Sequence, residues 1–234
     1  MLVIGQVNVA EIVEKLRKTV GTIPAKADKK SFKPLPMTYA KGAAWMQLSD
    51  SMQCENKIEL IIPHPTIVEK TLQDAVNKQR MRMLVQCLSE RFAADSIRCN
   101  VSNDWYLADK DHFVLSFRGA SSSQLTQQLA AASYECRRLL QCGVGQDELQ
   151  QLIHMRLVHL LPDTTQQLSS DLCDDFIDYI TAGDRPLWHP DDVEWVRSQV
   201  KMTTTLQLQE YLKSILKDMK RSRLYAYTYV ADNA

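Results

Sequence analysis

Five histidines, six cysteines and four closely spaced aspartates are the side chains in this sequence that could bind a metal or act on a carbonyl. A metal site needs several ligands converging on one point. His154 and His159 are five residues apart, about 140° around a helix, so they do not share a face. Neither H-E-x-x-H nor the inverted H-x-x-E-H occurs, and His64, His112 and His189 stand alone. Asp171, Asp174, Asp175 and Asp178 do share one helical face. A calcium loop would need backbone carbonyls and a glycine at set positions, which a helix cannot supply. These aspartates therefore read as a solvated face, or as one that meets a basic partner surface. There is no G-x-S-x-G, phosphate loop or dinucleotide fingerprint. Cys54, Cys87, Cys99, Cys136, Cys142 and Cys173 include no C-x-x-C pair. Most of them fall in apolar periodic segments, where a free cysteine acts as a small core residue. No spacing singles out a base beside any cysteine. The chain offers no self-contained catalytic constellation.

The bulk properties exclude other functions. Lys plus Arg equals Asp plus Glu at 28 each, so there is no electrostatic case for nucleic acid or an acidic membrane surface. No apolar run approaches the roughly 20 residues of a membrane span, and MLVIGQVNVA has no basic region of a signal peptide. A soluble protein of a bacterial cytoplasm or periplasm is expected. The 234 residues allow one large domain or two small ones.

The elements that would hold any site are legible in order. Asn8 caps a helix to about Val20, with Val9, Ile12, Val13, Leu16 and Val20 as its stripe. One helix and the short run Leu2–Ile4 cannot form a core, so residues 1–25 must dock on something else. Residues 26–41 carry lysines and prolines without periodicity and read as a linker. Strands are predicted at 43–49 and 56–62, the second ended by Pro63 and Pro65. Thr66 with Glu69 predicts the capping box of a long helix reaching Phe92. Its basic run Lys78, Arg80 and Arg82 reads as a solvated face, secondarily as a grip for a peptide carboxylate. Alternation at 97–107, with a bulge at Asn103–Asp104, and at 112–118 predicts an antiparallel hairpin. Two helical patterns over Leu125–Leu161 then meet at Gly143, which suits a helix end. Gly145 is a candidate N-cap, with Glu148 reaching back to it. A helix from about 165 to 182 places Leu168, Leu172, Phe176 and Ile180 inward. Two more helices and a strand at 223–230, with Tyr225, Tyr227 and Tyr229 on one face, complete the chain. The order predicts an α+β domain: a mostly antiparallel sheet with helices packed on one face.

In sequence these stretches resemble the insulinase-like (pitrilysin) zinc metallopeptidase family, which includes the processing peptidases. The corner Gly143-Val144-Gly145-Gln146-Asp147-Glu148-Leu149 resembles the family's G-V-[TS]-x-x-E-L between two helices. MLVIGQVNVAEIVEKLRKTVGTIPA resembles its domain-closing strand and helix, and ENKIELIIP and the segment Val200–Leu208 also fit. The resemblance implies the closing elements of a preceding domain (1–25), a linker (26–41) and a catalytically silent domain (42–234). It implies the non-catalytic, substrate-enclosing portion of a zinc endopeptidase, with zinc in a missing catalytic domain and no cofactor, catalytic residue or metal ligand in this chain. The implied partners are a peptide or protein substrate and the upstream domains of the same polypeptide, with neither nucleic acid nor membrane. By resemblance, Arg98 and Tyr106 are the candidate substrate-binding residues, although the family's glycine and spacing between them are not kept. The other class of function is a structural or interaction domain with no peptidase role.

Overall fold

The computed structural model describes residues 3, 5–24, 42–50, 55–107, 110–160, 169–181, 187, 189–217 and 223–229. The described strands are β1 (Ala44–Asp50), β2 (Asn56–Pro65), β3 (Cys99–Leu107), β4 (Lys110–Gly119) and β5 (Arg223–Tyr229). They form one sheet in the order β1-β5-β2-β4-β3, in which only the β1–β5 pair is parallel. The described helices are α1 (Val9–Thr19), α2 (Leu72–Ala94), α3 (Ser122–Cys142), α4 (Gln146–His159), α5 (Ser169–Thr181), α6 (Pro190–Lys201) and α7 (Thr205–Lys217). The expected α+β class is the one observed.

β4 shows why the helices gather on one side. Asp111, Phe113, Leu115 and Phe117 are buried, while His112, Val114, Ser116 and Arg118 between them are not. Successive strand residues point to opposite faces, so one face is a core wall and the other is open. Register carries the wall to β2, where Ile62 pairs with Phe113 and Leu60 with Leu115. α2 supplies Leu84, Leu88 and Phe92 to the same core, all fully buried.

Several expectations are corrected in detail. α2 starts at Thr71, not Thr66: Thr71 forms the capping box with Asp74, and Glu69 pairs with Lys78 at 2.7 Å instead. β2 runs on through Pro65, paired with His112–Lys110, so residues 66–70 are needed to cross from sheet to helix layer. Both prolines lie past Ile61, the last β2 residue paired to β5 among the described residues, and there the described pairing of β2 is to β4 alone. The bulge of β3 falls at Tyr106, between Trp105 and Leu107, not at Asn103–Asp104. Ile180, expected inward, is 69% exposed. No α1 residue is buried, and its apolar stripe lies open at Val9, Val13 and Val20. The run Leu2–Ile4, the linker, Leu168 and the turn of the β3–β4 hairpin, expected at Asp109–Lys110, lie wholly or partly outside the described residues.

The Gly143–Leu149 corner is held by an arginine. Gly143 takes φ 73°, which favours glycine, and the Gly145 N–H donates to Glu148 Oε2 at 3.2 Å. Arg91, in the last turn of α2, donates from Nε and Nη2 to the two Glu148 oxygens, both at 2.7 Å. Its Nη1 donates to Glu135 Oε1 of α3 at 3.1 Å and its Nη2 to the Gly143 carbonyl at 3.1 Å. Arg138 also binds Glu135, at 2.6 and 2.9 Å. Burial pushes the Glu135 and Glu148 carboxyls up. Hydrogen bonds from Arg138 and Arg91 to Glu135, and from Arg91 to Glu148, outweigh it and hold both below the ordinary carboxylate range.

Removing Arg91 leaves the Glu135 carboxylate, 1% exposed, short of one partner. Arg91→Leu is expected to lower unfolding stability at pH 7 by about 3 kcal/mol. A group whose folded pKa is depressed contributes stability above its unfolded value, about 4.3 for Glu. That stability is lost as pH falls through the lower folded value. The gap between wild type and Arg91→Leu should therefore narrow below about pH 4. A gap in urea-denaturation midpoints that stays constant from pH 7 to pH 3 would refute this assignment.

Candidate functional site

α2 ends in a turn that delivers Arg98 to the open face of the sheet. Ser96 adopts φ 56°, and the Ile97 N–H returns to the Phe92 carbonyl at 2.7 Å, as in a Schellman closure. Ile97 is buried against the core, so the chain is anchored one residue before Arg98. The Arg98 N–H donates to Gln128 Oε1 of α3 at 2.6 Å. Cys99 pairs with Phe117 on the core face, which leaves Arg98 and Asn100 for the open face, beside Arg118 and Ser116.

These residues line an open pocket of about 690 Å³, together with Glu55, Asn56, Gly119 and Ala120. Two arginines side by side across neighbouring strands repel. Glu55 relieves one of them: Arg118 Nη1 donates to Glu55 Oε1 at 3.0 Å. Asn56 Nδ2 is held by the Ala120 carbonyl at 3.1 Å. The pocket therefore presents one compensated guanidinium, one guanidinium with no carboxylate partner among the described residues, amides and a hydroxyl. Such a set can hold carbonyl oxygens or a carboxylate.

Tyr106 stands eight positions beyond Arg98, near the other end of β3, about 26 Å of extended backbone at roughly 3.3 Å per residue. The alternation at 112–118 had already put Arg118 opposite to Phe117. It could not show that the start of β3 would lie beside Arg118, because that depends on the register of the hairpin.

A second polar cluster lies inside the sheet's helical face. His64 and Asp111, both buried, are register partners. His64 Nε2 lies 2.6 Å from Asn103 Oδ1 and Nδ1 lies 3.0 Å from the Pro65 carbonyl. Asn103 Nδ2 reaches Asp111 Oδ2 at 3.5 Å. Both ring nitrogens are engaged in structure. No group of three His, Cys, Asp or Glu among the described residues could hold a metal ion. Asp174 is exposed on α5. No described helix is long and apolar enough to cross a membrane.

The described cysteines are free thiols, and three have lost nucleophilic character. Burial pushes Cys136 up to about 11 and Cys99 up to about 12. Cys87 is pushed up further by burial and then by Glu148, to which its thiol donates at 3.3 Å. Because the thiolate is the reactive form, alkylation at pH 8 is expected to modify exposed Cys142 about a hundredfold faster than Cys136 or Cys99. Peptide mapping that finds Cys136 labelled as fast as Cys142 would contradict this.

No protein-family model matches the sequence, and no curated protein matches it. Solved structures do match. The first half of the periplasmic protease PqqL from Escherichia coli superposes with a TM-score of 0.79 at 15% identity, covering 97% of this chain and 50% of that one. A predicted insulinase family protease from Yersinia pestis gives 0.75 at 13% identity, covering 97% and 51%. A peptidase M16 inactive domain from Pseudomonas fluorescens gives 0.54 at 11% identity, covering 82% and 45%. The chain spans about half the length of each.

Proposed function

For a chain with the fold of an insulinase-like M16 peptidase domain, we propose the role of a catalytically silent, substrate-enclosing part of a zinc metalloendopeptidase. What carries the reading is that fold, extending over 97% of the chain, in a sequence without H-x-x-E-H. The described residues do not fit a zinc site. The buried pair His64 and Asp111 is the nearest approach to one, and Asn103 already ties it together. In this reading the zinc belongs to another domain of the same polypeptide. Residues 1–25 close the preceding domain, which would cover the open stripe of α1, and 26–41 link it to the silent domain at 42–234.

β3 is an edge of the described sheet, so its outer backbone groups can pair with an extended peptide. Arg98 then grips one end of the peptide through carbonyl oxygens. In this reading Tyr106, about 26 Å further along the chain, meets the other end, a span of about eight extended residues. Neither performs chemistry.

This chain alone is expected to cleave no peptide and to hold no stoichiometric zinc by elemental analysis. Joined to its upstream domains it should cleave. In that longer protein Arg98→Ala should raise KM about tenfold and leave kcat within about twofold, the pattern of lost ground-state binding. One zinc per chain in the isolated protein would sink the silent-domain reading. An inactive longer protein would favour the structural or interaction role.

A further inference from the structure

A second basic pocket lies on the helical side, between α2 and α4. It is an open pocket of about 270 Å³ lined by Arg82, Gln86, His154, Arg156 and His159 with Met83 and neighbouring aliphatic side chains. No aspartate or glutamate lines it. Arg82 and Gln86 lie one turn apart on α2, as do Arg156 and His159 on α4. Packing of the two helices brings part of a basic run and two scattered histidines to one open pocket.

Arg156 makes this more than a solvated face. Its Nε is buried with no hydrogen-bond partner among the described residues. A guanidinium has only donors and does not lose its proton, so a buried N–H without an acceptor is costly. The charge acting on Arg156 is also the wrong sign: burial first, then Arg82, disfavour its charged form. Arg197 Nε is likewise buried without a hydrogen-bond partner among the described residues, but Arg197 and Arg91 each have acceptors for their terminal nitrogens, and none is seen for Arg156 among the described residues. Arg91 has two carboxylates and a carbonyl, and Arg197 has the carbonyls of Leu157 and Leu160 at 2.7 and 2.8 Å. The acid nearest in sequence to Gln86, Glu90, accepts from that amide at 2.7 Å.

We propose that this pocket binds a phosphate-sized oxyanion, held between the guanidiniums of Arg82 and Arg156, with His154 and His159 as adjoining donors. Two cations suit a dianion, whereas a single carboxylate would leave one of them unmatched. At roughly 30 Å³ of liquid volume per water, the space takes a phosphoryl group and a few waters, not a large ligand.

The test is titration of the full chain with inorganic phosphate, chloride being exchanged to hold ionic strength constant. It is read by ³¹P line width and by the thermal midpoint, which a ligand of the native state raises. Saturable binding is expected. Arg82→Gln and Arg156→Gln should each weaken it about tenfold, and Arg17→Gln, which removes an exposed arginine on α1, should not. Arg82 is the exposed member of the pair, so Arg82→Gln decides the question if Arg156→Gln fails to fold. A parallel titration with O-phosphoserine separates the sources: tighter binding than phosphate assigns a carried phosphoryl group, weaker binding the free ion. Phosphate that stabilises no more than chloride, or binding unchanged in Arg82→Gln, overturns the proposal. None of these readouts depends on peptidase activity.

Discussion

Arg91 is where the helical layer is fastened. One guanidinium at the end of α2 reaches α3 through Glu135, α4 through Glu148 and the corner between them through the Gly143 carbonyl. Burying such a cluster is unfavourable unless its donors and acceptors are matched. Here three of its members also do a second task. Glu148 caps the Gly145 N–H and accepts the Cys87 thiol, Glu135 takes Arg138 as well, and Gly143 ends α3. Through these bonds the arginine ties the corner between α3 and α4 to the end of α2.

α3 packs on β4 and β2 and brings Leu125, Ala132 and Leu139 to the core, while α4 packs on α2 and α6 and adds Leu149, Leu152 and Ile153. The opposite face of the sheet has no such cover in the register pattern of β4. One layer of helices on one face leaves an open surface, and the Arg98 pocket is on that surface. The same packing, seen from the helical side, sets Arg156 of α4 facing Arg82 of α2. Both pockets follow from how α2 is placed: its C-terminal turn delivers Arg98, and its body carries Arg82.

Local patterns were legible where one element decides the outcome. The two-residue period of 112–118 needed no partner to be read, and its inward set Phe113, Leu115 and Phe117 is buried. Asn8 as a cap and Glu148 reaching back to Gly145 are contacts within four residues. The misplacements arise where a distant element competes. Thr66 and Thr71 both offer a capping box, and the longer pairing of β2 with β4 chose Thr71. Ile180 has helical spacing, but nothing described on that side of α5 covers it.

By itself, the sequence determined the class of fold, the helical corner at Gly143–Leu149 and the lack of H-x-x-E-H, because each rests on spacing along the chain. Tertiary structure alone decided which charges meet. Arg91 with Glu135 and Glu148 is separated by 44 and 57 residues, Arg98 with Arg118 is a matter of strand register, and Arg82 with Arg156 is a matter of helix packing. The energy of a charge depends on its burial and its partners, and neither is encoded in local spacing. For that reason a run of basic residues that reads as a solvated face can contain, at Arg82, one wall of an open basic pocket.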